Sequence, residues 1–179
     1  MTPAAGTHTG TEAGTATPWL TSEQVEDWKS LIALVMTLPA ALDAQLRRDA
    51  GMNTFEYQVL VSLEASERGM LPMTDLAVMT QSSPSRLSHG VSRLERAGWV
   101  ERVECHEAGR RTSAHLTDAG LAKLRETAPG HVREARRLVV DALGDGQLAA
   151  LGEAARVIVS RTSPEMAAAL GVQPRASAR

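Results

Sequence analysis

Between Asn53 and Leu116 the apolar spacing changes from helical to extended, and this change narrows the possible folds more than any other feature of the chain. Phe55, Val59, Leu60 and Leu63 share one helical face, which ends at the turn Glu67-Arg68-Gly69. Leu71-Pro72-Met73 reads as a short extended piece, and Thr74 as the cap of a brief helix holding Leu76, Ala77 and Met79. After the polar turn Gln81-Ser82-Ser83, a Ser-Pro start opens another helix. Serine is its N-cap, and proline takes the first position, where a missing N–H costs nothing. Leu87, Val91 and Leu94 give that helix one apolar stripe, and it stops at Ala97-Gly98. Trp99 to Cys105 and Arg110 to Leu116 then read as two strands joined by a turn over His106 to Gly109.

Helical segments flank this block on both sides. Residues 1–18 are Thr-, Ala- and Gly-rich with almost no apolar anchor and read as a disordered tail. Thr21 and Gln24 then form a capping box ahead of a long helix with Leu31, Val35, Leu38, Leu42 and Leu46 on one stripe. Pro39 should kink this helix, and Gly51 should close it in a left-handed cap. Past the strands, Thr117-Asp118 caps a helix with Leu121 and Leu124, which Pro129-Gly130 should break or kink before Val132, Leu138 and Val139 resume the period. Leu148, Leu151, Ala155 and Ile158 mark a last major helix, and Ser163-Pro164-Glu165 opens a short one. The domain reading is therefore a tail (1–18), an N-terminal dimerisation helix (19–51), a compact lobe (52–117), C-terminal dimerisation helices (118–170) and a frayed end (171–179). The stripes have two readings: they pack within one chain, or, because helices at both ends carry more apolar surface than so small a lobe can cover, they associate with a second copy, which is the expectation here.

Two short helices joined by a tight turn, then a hairpin, is the order of a winged helix-turn-helix, so the expected fold is mainly α with a two-stranded wing. In that fold the second helix is offered N-terminus first to a DNA major groove. The helix opened by Ser83 suits this role. Its outward face carries Ser85, Arg86, Ser88, His89, Ser92 and Arg93, with no carboxylate before Glu95. An ordinary solvated helix would alternate Glu and Lys at four-residue spacing instead. Arg110 and Arg111, beside Gly109, can grip phosphates or enter a minor groove, although an isolated Arg-Arg also suits a plain solvated turn. Net charge is −2, so DNA affinity would have to come from local clustering, not bulk charge.

Other chemistries fit less well. Cys105 is the only cysteine, which excludes an internal disulfide and suggests a reducing compartment. Cys105-His106-Glu107, with His115 nearby, lacks the paired ligand spacing of a zinc site, so no metal is expected. A redox switch at Cys105 is the alternative for that residue. His89 lies one turn from Ser85, but no carboxylate or oxyanion-hole motif accompanies the pair, so no enzyme and no cofactor are expected. The longest unbroken apolar run, Leu31 to Met36, falls short of the roughly 20 apolar residues of a membrane span. With no signal-peptide pattern at the start, the expected place is the cytoplasm.

The chain resembles the MarR family of bacterial regulators. Five segments carry the resemblance: Met73-Thr74-Asp75-Leu76-Ala77, Ser83-Pro84-Ser85, Arg93-Leu94-Glu95-Arg96-Ala97-Gly98-Trp99-Val100, Arg110, and Leu116-Thr117-Asp118-Ala119-Gly120. It implies a homodimeric DNA-binding regulator, most readily a repressor, that reads a palindromic operator. It also implies release by a small aromatic or phenolic effector; Trp28, Met36, Phe55 and Tyr57 are candidate pocket residues, although core packing explains each equally well. By position, Ser83, Ser85, Arg86, Ser88, His89 and Arg93 fall on the recognition helix and Arg110 on the wing arginine. Three departures stand out. Ala108 occupies the usual place of a wing acid. Thr80 and Ser82 replace apolar turn residues, and Gly90 interrupts the recognition helix, where it costs roughly 1 kcal/mol against alanine. A protein-docking winged helix that binds no DNA is the rival reading.

Overall fold

A computed structural model describes residues 17–105, 111–144 and 146–172. The chain divides into two compact units, residues 1–36 and 37–179. The first holds the start of helix α1 (Ser22–Ala50). There the expected capping box is present: Gln24 N–H donates to Thr21 Oγ1 at 3.2 Å, and Thr21 N–H donates back to Gln24 Oε1 at 2.9 Å. Trp28, Val35 and Met36 are exposed on this stretch.

The second unit begins within α1, which continues through Pro39 to Ala50 and ends at Gly51 with φ +69°. The remaining helices are α2 (Thr54–Glu64), α3 (Met73–Met79), α4 (Pro84–Arg96), α5 (Asp118–Ala135), α6 (Gln147–Thr162) and α7 (Pro164–Ala169). Strands β1 (Met70–Pro72), β2 (Val100–Cys105) and β3 (Arg111–Leu116) form one antiparallel sheet in the order β1-β3-β2. The core gathers Leu46 from α1, Val59, Leu60 and Leu63 from α2, Leu76 from α3, and Leu87, Val91 and Leu94 from α4, all essentially inaccessible to water. Ala114 and Leu116 of β3 close it from the sheet side.

Several local expectations need correcting. The expected two-stranded wing, β2 with β3, is present, but a third strand joins its sheet. The extended piece before α3 pairs with β3 in the register Met70↔His115 to Pro72↔Ser113, because β3 has a free edge once β2 occupies the other. Thr74 does not cap α3; the helix begins at Met73, so its N-cap falls two residues earlier, at Pro72, with no side-chain cap. Pro129 does not end its helix, since α5 runs through it and the hydrogen-bond pattern changes only afterwards, in a π-helical turn over Arg136–Val140. The apolar stretch of α1 is also longer than its unbroken run implies. By length and composition this 29-residue helix could cross a membrane, with a mean hydropathy of 1.3 over its best window. Yet its C-terminal part is built into the lobe, where Leu46 is fully buried.

α7 docks against α3 within the same chain. Ala167 is buried, and Gln81 Nε2 donates to Ser163 Oγ at 2.8 Å. Gln81 is the one described non-glycine residue with a left-handed backbone (φ +48°). The polar turn before α4 is satisfied internally: Thr80 Oγ1 donates to Leu76 O at 2.7 Å and lies 2.9 Å from Ser82 Oγ. These bonds explain how hydroxyl residues fill a turn where apolar ones were expected. α6 contrasts with α7, for its stripe of Leu148, Leu151, Ala155 and Ile158 stays exposed.

Candidate nucleic-acid interface

α4 is set by its cap and its stripe. Ser83 Oγ accepts from Arg86 N–H at 3.2 Å, Pro84 occupies the first turn, and Leu87, Val91 and Leu94 bury the inner face. At the far end Trp99 N–H bonds back to Leu94 O, and Gly98 takes φ +74°. Ser83, Ser85, Arg86, Ser88, His89 and Arg93 are thereby exposed, with Ser92 half-buried. The helix N-terminus and its hydroxyl, guanidinium and imidazole groups lie together on an accessible surface, a combination able to donate to phosphates and base edges.

That surface is not free of acid, as the sequence of α4 alone implied. Glu56, a buried residue of α2, places Oε1 2.9 Å from Arg93 Nε. Its other oxygen accepts from Asn53 N–H at 2.9 Å, completing a capping box at the start of α2. Arg86 engages α2 as well, its guanidinium carbon 5.0 Å from the centre of the Phe55 ring. Phe55 can come this close because residue 90 is glycine: a Cβ there would lie 2.3 Å from Phe55 Cε1. The glycine read as a weak point of the helix is therefore the place where the helix receives the ring.

Sequence reasoning overlooked Arg102. From β2 its Nη2 donates to Ser88 O at 2.9 Å and to Ser92 Oγ at 3.1 Å, and its Nη1 lies 3.1 Å from Glu95 Oε2. Ser88 and Ser92 thus brace the helix against the sheet. A signal was present, since Arg102 lies two residues from the buried Val100 and so shares the inward face of its strand. The Leu-Thr-Asp-Ala-Gly segment is a second brace. Thr117 Oγ1 donates to Gly98 O at 2.7 Å and accepts from Gly120 N–H at 3.0 Å. A Cβ on Gly120 would lie 2.0 Å from Trp99 O.

Arg110 lies outside the described residues, as do His106, Glu107, Ala108 and Gly109. The backbone of Arg111 is described, in register with Cys105, but neither side chain is. His115 pairs across the sheet with Glu101 at 2.8 Å. No group of three or more His, Cys, Asp or Glu is placed to hold a metal among the described residues.

The candidate effector residues divide. Trp28 and Met36 belong to the first unit and are exposed. Tyr57 faces His131 of α5, ring centres 4.6 Å apart, and burial raises its phenol pKa. Phe55 lines a cleft of about 720 Å³ together with Asp43 and Arg47 of α1, Asn53 and Glu56 of α2, and Arg86, His89 and Arg93 of α4. The Arg47 guanidinium and the Thr54 N–H hold the Asp43 carboxyl below the usual carboxylate range.

The chain is similar to known regulators. A sequence profile of the MarR family matches residues 50–111. The chain is 45% identical to Sco3205, a MarR family transcriptional regulator from Streptomyces coelicolor crystallised in complex with DNA; the match covers 82% of this chain and 91% of that one, with a TM-score of 0.78. AbsC, a second MarR family regulator of Streptomyces coelicolor, is 35% identical over 81% of this chain and 97% of its own, with a TM-score of 0.76. The Escherichia coli K12 transcriptional repressor MprA is 30% identical over 79 residues, so the match spans under half of that relative's length (45%) and 44% of this chain.

Proposed function

This chain belongs to the MarR family of transcriptional regulators, and from that premise we propose that it works as a homodimeric repressor binding a palindromic DNA operator in the cytoplasm. It is a transcription factor and not an enzyme. The observation that carries the DNA-binding reading is α4, capped by Ser83, with its inner stripe fully buried and Ser85, Arg86, Ser88 and His89 left exposed. Arg86, His89 and Arg93 face the major groove in this reading, and Arg110 and Arg111 reach phosphates or the minor groove. Crystallisation of the 45% identical regulator with DNA supports it, and the repressor MprA supports the sign of regulation. The exposed stripe of α6 supports association with a second copy. A small aromatic or phenolic effector would enter the cleft beside Phe55 and displace α4 from its DNA-binding position.

The test is a gel-shift titration with duplexes enriched from a random pool, repeated at several salt concentrations. Arg110→Ala should weaken all duplexes alike and lower the salt slope by about one. Arg86→Ala should weaken the preferred duplex by roughly 10- to 100-fold and relax its sequence preference. Wild-type affinity in both variants would refute the assignment of these residues. A monomer in sedimentation at the same concentrations would refute the dimer.

A further inference from the structure

Two of the three arginines of α4, Arg86 and Arg93, are held by α2 and not by α4 itself. Arg86 lies over the Phe55 ring and Arg93 against the Glu56 carboxylate, and Phe55 and Glu56 are neighbours in the first turn of α2. A free arginine samples many rotamers, and that freedom must be surrendered when it docks on a base or phosphate. A ring face and a buried carboxylate remove part of that freedom beforehand. Both supports are themselves fixed. Gly90 lets the ring lie against the helix backbone. Glu56 is anchored by Asn53 N–H, and Thr54 N–H by Asp43 of α1 at 2.8 Å.

We propose that Phe55 and Glu56 are positioning residues for DNA recognition: the ring orients Arg86, the carboxylate orients Arg93, and sequence discrimination is set partly by a helix that need not touch the bases. The inference rests on the DNA-binding reading and adds to it. It assigns Glu56 a second task, that of masking the Arg93 charge against duplexes whose phosphates do not fit. Losing the carboxylate should therefore loosen discrimination without weakening non-specific attraction.

The experiment compares binding of one duplex enriched by the wild-type protein with binding of a scrambled duplex of equal length. Glu56→Gln keeps an acceptor for Asn53 N–H and removes the charge. Its preferred-to-scrambled affinity ratio should fall roughly tenfold, with scrambled-duplex affinity unchanged or raised and a salt slope steeper by about one. Phe55→Leu should lower the ratio in the wild-type background but not further in Arg86→Ala, because only the ring's action on that guanidinium is lost. A purely structural role would instead weaken both duplexes together, in step with a lowered melting temperature by circular dichroism. Should Glu56→Gln not fold, the Phe55–Arg86 cycle decides alone. Wild-type ratios in folded variants, or additive losses in the cycle, overturn the inference while leaving DNA binding intact. Failure of the wild-type protein to enrich any sequence overturns both.

Discussion

Gly90 and Gly120 each sit where a methyl group would collide with a neighbour, but the two neighbours differ in how far they can retreat. At Gly90 the obstacle is the edge of the Phe55 ring, a side chain that can tilt; at Gly120 it is the carbonyl oxygen of Trp99, fixed by its bond from Thr117 N–H. Alanine at residue 90 gains about 1 kcal/mol of helix propensity and loses about 1–3 kcal/mol to overpacking, for a net loss near 1 kcal/mol. Gly120→Ala, pressed against backbone, should lose about 3 kcal/mol or more. Urea unfolding of the two variants checks the order, and a stabilised Gly90→Ala or a milder Gly120→Ala would contradict it. Neither role was legible beforehand. A glycine inside a helical pattern shows its propensity penalty in sequence, whereas the ring or carbonyl that needs the space arrives from another element. The exposed serines and arginines of α4 were legible because a buried stripe dictates its opposite face. Glu56 under Arg93 was not, because nothing in α4 reports an acid from α2.

Among the elements, most of those with explicit start signals fall where the sequence puts them, Thr74 before α3 being an exception. Thr21 with Gln24, Asn53, Ser83-Pro84 and Thr117 each begin a helix, and all four carry a side-chain cap, at the starts of α1, α2, α4 and α5. Short or irregular pieces were harder to read. β1 has three residues and is defined by its partner, and the π-helical turn after α5 follows a proline that the helix absorbs, with no residue type announcing it. The polar part of the joint between α4 and β2 gathers on one side chain. Arg102 ties Ser88, Ser92 and Glu95 to β2. Its partners are only partly buried, so Arg102→Ala should cost about 1–2 kcal/mol rather than the larger loss of a buried ion pair. The loss should be local: hydrogen exchange should accelerate in β2 and the second half of α4 and stay unchanged in α2. Arg102→Lys should recover little, since one ammonium cannot reach three acceptors on a planar fork. Uniform acceleration across the lobe would mean that Arg102 supports the whole core instead of this joint.

For the molecule as a whole, surplus apolar surface was legible from the terminal stripes, and Leu148, Leu151 and Ile158 do remain uncovered by their own chain. Its response to acid was not, because that depends on which helices meet around one imidazole. His131 of α5 is half-buried against Tyr57 of α2, and its Nδ1 lies 3.2 Å from Gln45 Oε1 of α1, whose amide in turn donates to Asp49 at 3.0 Å. Burial holds the imidazole pKa below its ordinary 6.5. The unfolded chain therefore takes up a proton at this residue before the folded one does. The resulting stability is complete above the unfolded value and is lost as pH falls through the depressed folded value. Asp43, Asp49 and Glu134 act with the same sign, because hydrogen bonds from Arg47, Gln45 and Arg137 respectively hold their pKa values low, but their losses begin only near the carboxylate range. The two windows are separable. Thermal melts at about pH 7.5 and about pH 5.5 should show a lower melting temperature at the acid end, and His131→Gln, which cannot titrate, should remove most of that difference. An equal drop in the variant would assign the acid sensitivity to the carboxylates and leave the junction of α1, α2 and α5 without a part in it.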